Sequence, residues 1–185
     1  NTIEEVINTK VQVNAAPNQD NTNKSVLDFM LPAGTSKWVY WIGTGVSSET
    51  TFENDRKKFA DGKAKAGGAT NPMAGLALGF SSLSNSTEGN PVHYYFISTG
   101  EETQKFSKAQ AFKFFKQGES SLDFALMNYA NKNPQKYYLA LRNDNLTQNA
   151  DVTVKIIAMI VASKYKALTE YVPTLLNHKV PVNED

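Results

Sequence analysis

Lys136-Tyr137-Tyr138-Leu139-Ala140-Leu141-Arg142, followed by Asn143-Asp144-Asn145 and then Val152-Thr153-Val154-Lys155-Ile156-Ile157-Ala158-Met159-Ile160, carries two strand patterns joined by a turn. Side chains alternate along extended chain, so Tyr137, Leu139 and Leu141 share one face while Tyr138, Ala140 and Arg142 share the other. The Asn-Asp-Asn run supplies turn chemistry, because these short polar side chains hydrogen-bond their own backbone. Val152, Val154 and Ile156 then oppose Thr153 and Lys155. From Ile157 through Val161 both faces are apolar, which predicts a strand end covered on two sides. Two antiparallel strands closing a β-sandwich, with a third layer over the far end, follow from this pattern.

Upstream, residues 121–129 match strand spacing through Leu122, Phe124 and Leu126 and helical spacing through Leu122, Ala125, Leu126 and Tyr129. The short polar connection at 131–135 favours a strand, and a β-meander into 136–142. Val92, Tyr94 and Phe96 alternate with His93, Tyr95 and Ile97, an aromatic and β-branched strand pattern. Leu27, Phe29 and Leu31 share a face, Pro32-Ala33-Gly34 breaks the run, and Trp38, Tyr40 and Ile42 resume it, which reads as a hairpin. Residues 5–14 form a first strand, ended by a turn-rich loop at 16–21.

The middle of the chain changes character. Residues 48–65 carry helix formers, the capping pattern Thr50-x-x-Glu53 and a thin apolar stripe of Phe52, Phe59 and Ala60, ended by Gly67-Gly68. Residues 73–80 read as a short buried helix, with a strand as the alternative. Ser107-x-x-Gln110 predicts a short helix carrying Ala109 and Phe112, then extended chain. The fold class is therefore mainly β: an antiparallel β-sandwich with a helical insertion at about 48–83. One domain spans 1–163, and a tail at 164–185 packs on it or extends from it. The tail and the insertion are both candidates for the third layer.

The strand Tyr137-Tyr138-Leu139-Ala140-Leu141-Arg142-Asn143-Asp144-Asn145, followed by Val152-Thr153-Val154-Lys155-Ile156, resembles the penultimate and last strands of jelly-roll sandwich modules. GOLD-type domains and bacterial pre-peptidase C-terminal domains are examples. The resemblance covers about the last third of the domain. It implies a jelly-roll-like architecture and a noncatalytic, extracytoplasmic or lumenal module used for adhesion, cargo, carbohydrate or protein contact. It carries no binding residue across.

Composition bounds the function. At 185 residues the chain buries a core without staples, and a net charge of +1 creates no long-range field toward nucleic acid or acidic lipid. The absence of cysteine removes disulfides, thiolate metal sites and cysteine nucleophiles together. No apolar run approaches the roughly 20 residues of a membrane span. A start at Asn1 rather than Met predicts removal of an N-terminal segment such as a signal peptide. The wealth of Asn, Thr, Ser and Tyr points the same way, to a bacterial envelope or secreted protein in the periplasm, at the cell surface or outside the cell.

Gly43-Thr44-Gly45-Val46-Ser47-Ser48 follows a strand and opens a helix, as a phosphate loop does, but residues 62–70 lack the second strand and acidic residue of a dinucleotide site. A glycine turn is the reading. Asp20 and Asn21 in one loop, and Asp144, Asn145 and Asp151 in another, offer the hard oxygens calcium takes, although the same residues make turns. No other cofactor is expected. His93 and His178 are the only histidines, and neither sits in a nucleophile elbow. A hydrolase would have to use a surface carboxylate pair from among Asp28, Asp123, Glu101 and Glu102.

Aromatics give the best binding argument. Trp38 and Trp41 point to opposite faces of one strand, as do Tyr94 and Tyr95, and Tyr137 and Tyr138. Flat exposed rings are what sugars and partner proteins stack on. Trp38, Trp41, Tyr94, Tyr95 and Tyr138 are the candidate ligand-binding residues, unless the insertion buries them. The expected function is noncatalytic binding of a protein or glycan surface. A structural or accessory subunit of an envelope complex is the alternative, and the carboxylate-pair hydrolase a third.

Overall fold

The computed structural model describes residues 2–15, 22–46, 48, 50–54, 89–129 and 133–161. Its strands are β1 (Thr2–Val13), β2 (Lys24–Leu31), β3 (Thr35–Thr44), β4 (Val92–Ile97), β5 (Lys116–Ser120), β6 (Leu122–Asn128), β7 (Gln135–Arg142) and β8 (Ala150–Ile160), and the helix α1 (Gly100–Ser107) lies between β4 and β5. They form two four-stranded sheets, ordered β1-β8-β3-β6 and β2-β7-β4-β5, with every pairing antiparallel. This is the strand order of a jelly roll. The expected β-sandwich is present.

The connectivity departs from the sequence reading at three places. β2 and β3 are both strands, but they lie in opposite sheets and make no hairpin. β6 and β7 likewise lie in opposite sheets instead of forming a meander, and β7 pairs with β2 and β4 in one sheet while β8 pairs with β1 and β3 in the other. Alternation tells which face of a strand is buried. It carries no information about which strand supplies the hydrogen bonds, and in a jelly roll most consecutive strands cross between layers. At the β2–β3 crossing, Gly34 takes φ 77°, and the Thr35 amide donates to the Pro32 carbonyl at 3.2 Å.

The core is built from the inward faces the alternation predicts: Phe29 and Leu31, Trp38, Tyr40 and Ile42, Tyr94 and Phe96, Leu139 and Leu141, and Val152, Val154 and Ile156. Phe96 is its aromatic hub, with ring centroids 4.8 Å from Tyr40 and 5.2 Å from Trp38. Aromatic pairs at these separations add to the area term by edge and face electrostatics.

The third layer meets β8 earlier than expected. Thr153 and Lys155, on the polar face, are buried, and so is Met159 on the same face within the expected stretch, whereas Ile157 is half-buried and Val161 exposed. Residues 48 and 50–54 are helical. From there Ser48 bonds the Thr153 hydroxyl at 2.6 Å, and the Phe52 ring lies 4.9 Å from Lys155 Nζ. A polar residue can thus mark a covered face when its head finds an acceptor, here the Asn8 side-chain oxygen. The expected helix over 48–65 is described only to residue 54. The segment 73–80, the rest of the 48–83 insertion and the 164–185 tail lie outside the described residues.

α1 begins earlier than Ser107 predicts. Thr99 is its N-cap and accepts from the Glu102 amide at 3.4 Å, and the acidic Glu101 and Glu102 in the first turn favour the positive end of the helix dipole. Ser107 ends the helix and donates to the Thr103 carbonyl at 3.0 Å. The overlooked signal is Thr99-Gly100-Glu101-Glu102, which has capping-box spacing.

Candidate functional surface

Register places the side chains on the outer face of the β2-β7-β4-β5 sheet in rows. One runs Lys24, Arg142, His93, Glu119; the next Val26, Ala140, Tyr95, Gln117; then Asp28, Tyr138, Ile97; and last Met30, Lys136. α1 lies over part of this face, its Phe106 packing on Ile97 and Ala140 with Tyr95, Phe112 and Tyr138 around it. Lys24 fastens the helix end, donating to the Phe106 carbonyl at 2.7 Å with its Nζ 5.2 Å from the Phe106 ring. Burial and then the neighbouring Arg142 charge hold the Lys24 pKa below the ordinary lysine value.

The β2 flank is left open. Val26, Asp28 and Met30 are exposed, Met30 at 55%, and Tyr138 is half-buried beside them. The Tyr138 hydroxyl end abuts Gly100, where an added Cβ would come within 3.2 Å, and Lys136 Nζ stands 5.5 Å from the ring centroid. Lys136 also pairs with Asp28 at 3.0 Å, and that carboxylate raises the lysine's pKa. The result is a half-buried tyrosine lying against Gly100, bordered by apolar side chains and an exposed ion pair.

At the opposite end of the face, Asp144 Oδ2 lies 2.8 Å from Arg142 Nη2 and 3.0 Å from His93 Nε2, while His93 Nδ1 is 3.6 Å from Glu119. Asn145 Oδ1 accepts the Thr147 and Gln148 amides at 2.9 and 3.0 Å, the turn role of such residues. Asp151 accepts from Gln12 at 3.1 Å. The proposed calcium ligands Asp144, Asn145 and Asp151 are therefore engaged separately, while Asp20 and Asn21 lie outside the described residues. Among the described residues no three His, Asp or Glu side chains gather where a metal could be held.

The candidate aromatics divide. Trp38 and Tyr94 are core residues, and Trp41, on the outer face of the other sheet, is only 4% exposed. Phe52 covers it edge-on at 5.3 Å, so the insertion does bury this tryptophan, and none of these three rings presents a face to a ligand. The glycine motif serves Trp41: Gly43 lies inside β3, and an added Cβ there would stand 2.2 Å from the indole Cη2. Tyr95 and Tyr138 are half-buried on the face described above, but Tyr95 is ringed by Phe106, Phe112 and Phe114 at 5.1–5.8 Å. Tyr138 is the candidate ring left on the open flank.

The carboxylates weighed for hydrolysis are also engaged. Glu101 and Glu102 both contact Lys105 at 2.8 Å, pushing its pKa up to about 12. Asp123 accepts from Tyr94 and, at 3.4 Å, from Tyr40, whose hydroxyl is 3.0 Å from that of Tyr94. Val26, Met30 and Lys136 were not singled out by sequence reasoning. Their signal was the outward phase of their own strands, read only for its inward partners. Among the described residues no helix is long and apolar enough to cross a membrane. No family model, curated protein or solved structure matches the chain.

Proposed function

We propose that this chain is a noncatalytic binding module, acting outside the cytoplasm, that engages a protein or glycan surface through the open flank of the β2-β7-β4-β5 sheet. The observation carrying this reading is Tyr138, half-buried with its hydroxyl end against Gly100 and flanked by exposed Val26 and Met30 and the Asp28–Lys136 pair. Rigid tyrosines with apolar neighbours and a charged rim are the usual anchors of recognition surfaces, because little side-chain entropy is lost on contact. The resemblance of the last strands to GOLD-type and pre-peptidase C-terminal modules accords with such a role.

Purified chain, screened against a glycan panel and an immobilised cell-surface extract, should find a ligand whose affinity falls about tenfold or more in Tyr138→Ala, the loss of one anchor residue. Trp41→Phe, away from this flank, should bind as wild type. A ligand held equally well by Tyr138→Ala would place recognition elsewhere. Binding to neither screen would count against the module reading.

A further inference from the structure

The net charge of +1 conceals a run of lysines: between residues 103 and 118 stand Lys105, Lys108, Lys113 and Lys116 and no acidic residue, and since Glu101 and Glu102 pair with Lys105, Lys108, Lys113 and Lys116 carry its excess charge. Within it, residues 111–115 have no regular secondary structure, yet they are firmly placed. The Lys113 amide donates to Glu102 at 2.6 Å and the Phe115 amide to the Phe96 carbonyl at 3.0 Å. Hydrogen bonding first to Lys105 and then to this amide lowers the Glu102 pKa. Phe112 plugs in beside Tyr95 and Phe106. The next two aromatics are nevertheless left in solvent, Phe114 at 42% and Phe115 at 44% exposure.

Two adjacent phenylalanines held part-exposed, between lysines on both sides in sequence, make a small apolar spot rimmed by cations. It fits one class of occupant. An anionic bilayer surface offers acyl chains to the rings and headgroup phosphates or carboxylates to ammonium groups whose aliphatic stems lie along the same boundary. The geometry points to this segment as a peripheral attachment site for an anionic lipid surface, with Phe114 and Phe115 entering the interface and Lys108, Lys113 and Lys116 facing the headgroups. The site is separate from the Tyr138 flank and stands or falls apart from it. Charge balance over the whole chain predicts no such attraction; Lys108, Lys113 and Lys116, close to the two rings in sequence, supply it.

The test is co-sedimentation of the full chain with vesicles of phosphatidylcholine alone and of phosphatidylcholine with about 30 mol% phosphatidylserine. The chain should partition onto the anionic vesicles only, and should leave them as salt is raised. Phe114→Ser should weaken partitioning about tenfold, the scale of one lost apolar ring, and Lys113→Gln with Lys108→Gln should flatten the salt dependence. Phe114 is chosen because the rings it packs on, Tyr95 and Phe112, are half-buried, whereas Phe115 packs on Phe96 of the core and on Tyr137; an unchanged melting temperature checks the fold. In Phe114→Trp, the added emission should shift to the blue on anionic vesicles alone, since Trp38 and Trp41 are already buried. Wild-type chain that stays off anionic vesicles at low salt, or partitioning indifferent to Phe114→Ser, overturns the assignment. So does retention on polyglutamate beads through Phe114 without vesicle binding, which would make the segment a site for an acidic protein.

Discussion

At Ala109 the backbone turns left-handed, with φ 55°, directly after α1. The Ala109 amide donates to the Phe106 carbonyl at 3.1 Å and the Gln110 amide to the Lys105 carbonyl at 2.9 Å, the paired bonds of a Schellman ending. An alanine there bears the steric cost of its Cβ against the following carbonyl. Ala109→Gly should therefore raise unfolding free energy by roughly 0.5–1 kcal/mol, net of the extra freedom glycine adds to the unfolded chain. Urea denaturation measures it, and a loss of stability would show that Ala109 is not strained. The sequence places Ala109 inside a helix starting near Ser107, because a Ser-x-x-Gln spacing reads the same whether it opens a helix or lies across its end. Only the path of the chain after Ser107 distinguishes the two.

At the scale of elements, the decisive contact is between the start of the insertion and the outer face of the β1-β8-β3-β6 sheet. Phe52 packs on Trp41 and Leu122 and over Lys155, which is 3% exposed. Phe52→Ala should cost about 3 kcal/mol, the lower end for a buried aromatic because one side chain of a covering layer can be partly replaced by solvent. Trp41 fluorescence should also move to the red as its cover is lost. A variant that is destabilised without a red shift would mean that another group covers Trp41. The amphipathic stripe containing Phe52 was legible in the sequence, and so was the need for a cover on β8. That the cover reaches Thr153 and Lys155 was not, since a threonine and a lysine look solvent-facing until Ser48, Asn8 and Phe52 supply partners for them.

Across the whole molecule, the two sheets are joined by a polar contact as well as by apolar packing. Tyr40 of one sheet and Tyr94 of the other share a hydroxyl contact, and Asp123 on β6 accepts from both. Burial first of all raises both tyrosines' pKa values well above the ordinary one. The fold thus favours the protonated phenols. Their contribution is complete below the unfolded tyrosine value near about 10 and is lost as pH rises above it, at roughly 1.4 kcal/mol per pH unit for each. Denaturant midpoints should hold up to about pH 10 and then fall steeply. Absorbance of tyrosinate should show these two rings ionising only as the fold opens; ionisation of every tyrosine in the folded state would refute the coupling. Gly118 makes the arrangement possible, since a Cβ there would sit 2.3 Å from the Tyr94 hydroxyl.

Strands such as β4, β7 and β8 were legible in the sequence by itself, because a period-two alternation of apolar side chains buries its inward set in extended chain, and Tyr137, Leu139 and Leu141 point inward as their spacing requires; β5, Lys116-Gln117-Gly118-Glu119-Ser120, has no such alternation, and β6 fits helical spacing as well. The sandwich follows from several such faces needing one another. Which strand pairs with which, and which of two equivalent aromatics stays in solvent, was decided only by tertiary structure. Hydrogen bonds between strands engage backbone groups that are alike at every residue, so side-chain pattern does not choose the partner. Likewise Trp41 and Tyr138 both point away from the core of the sandwich, and they differ because Phe52 closes over one while the β2 flank beside the other remains open.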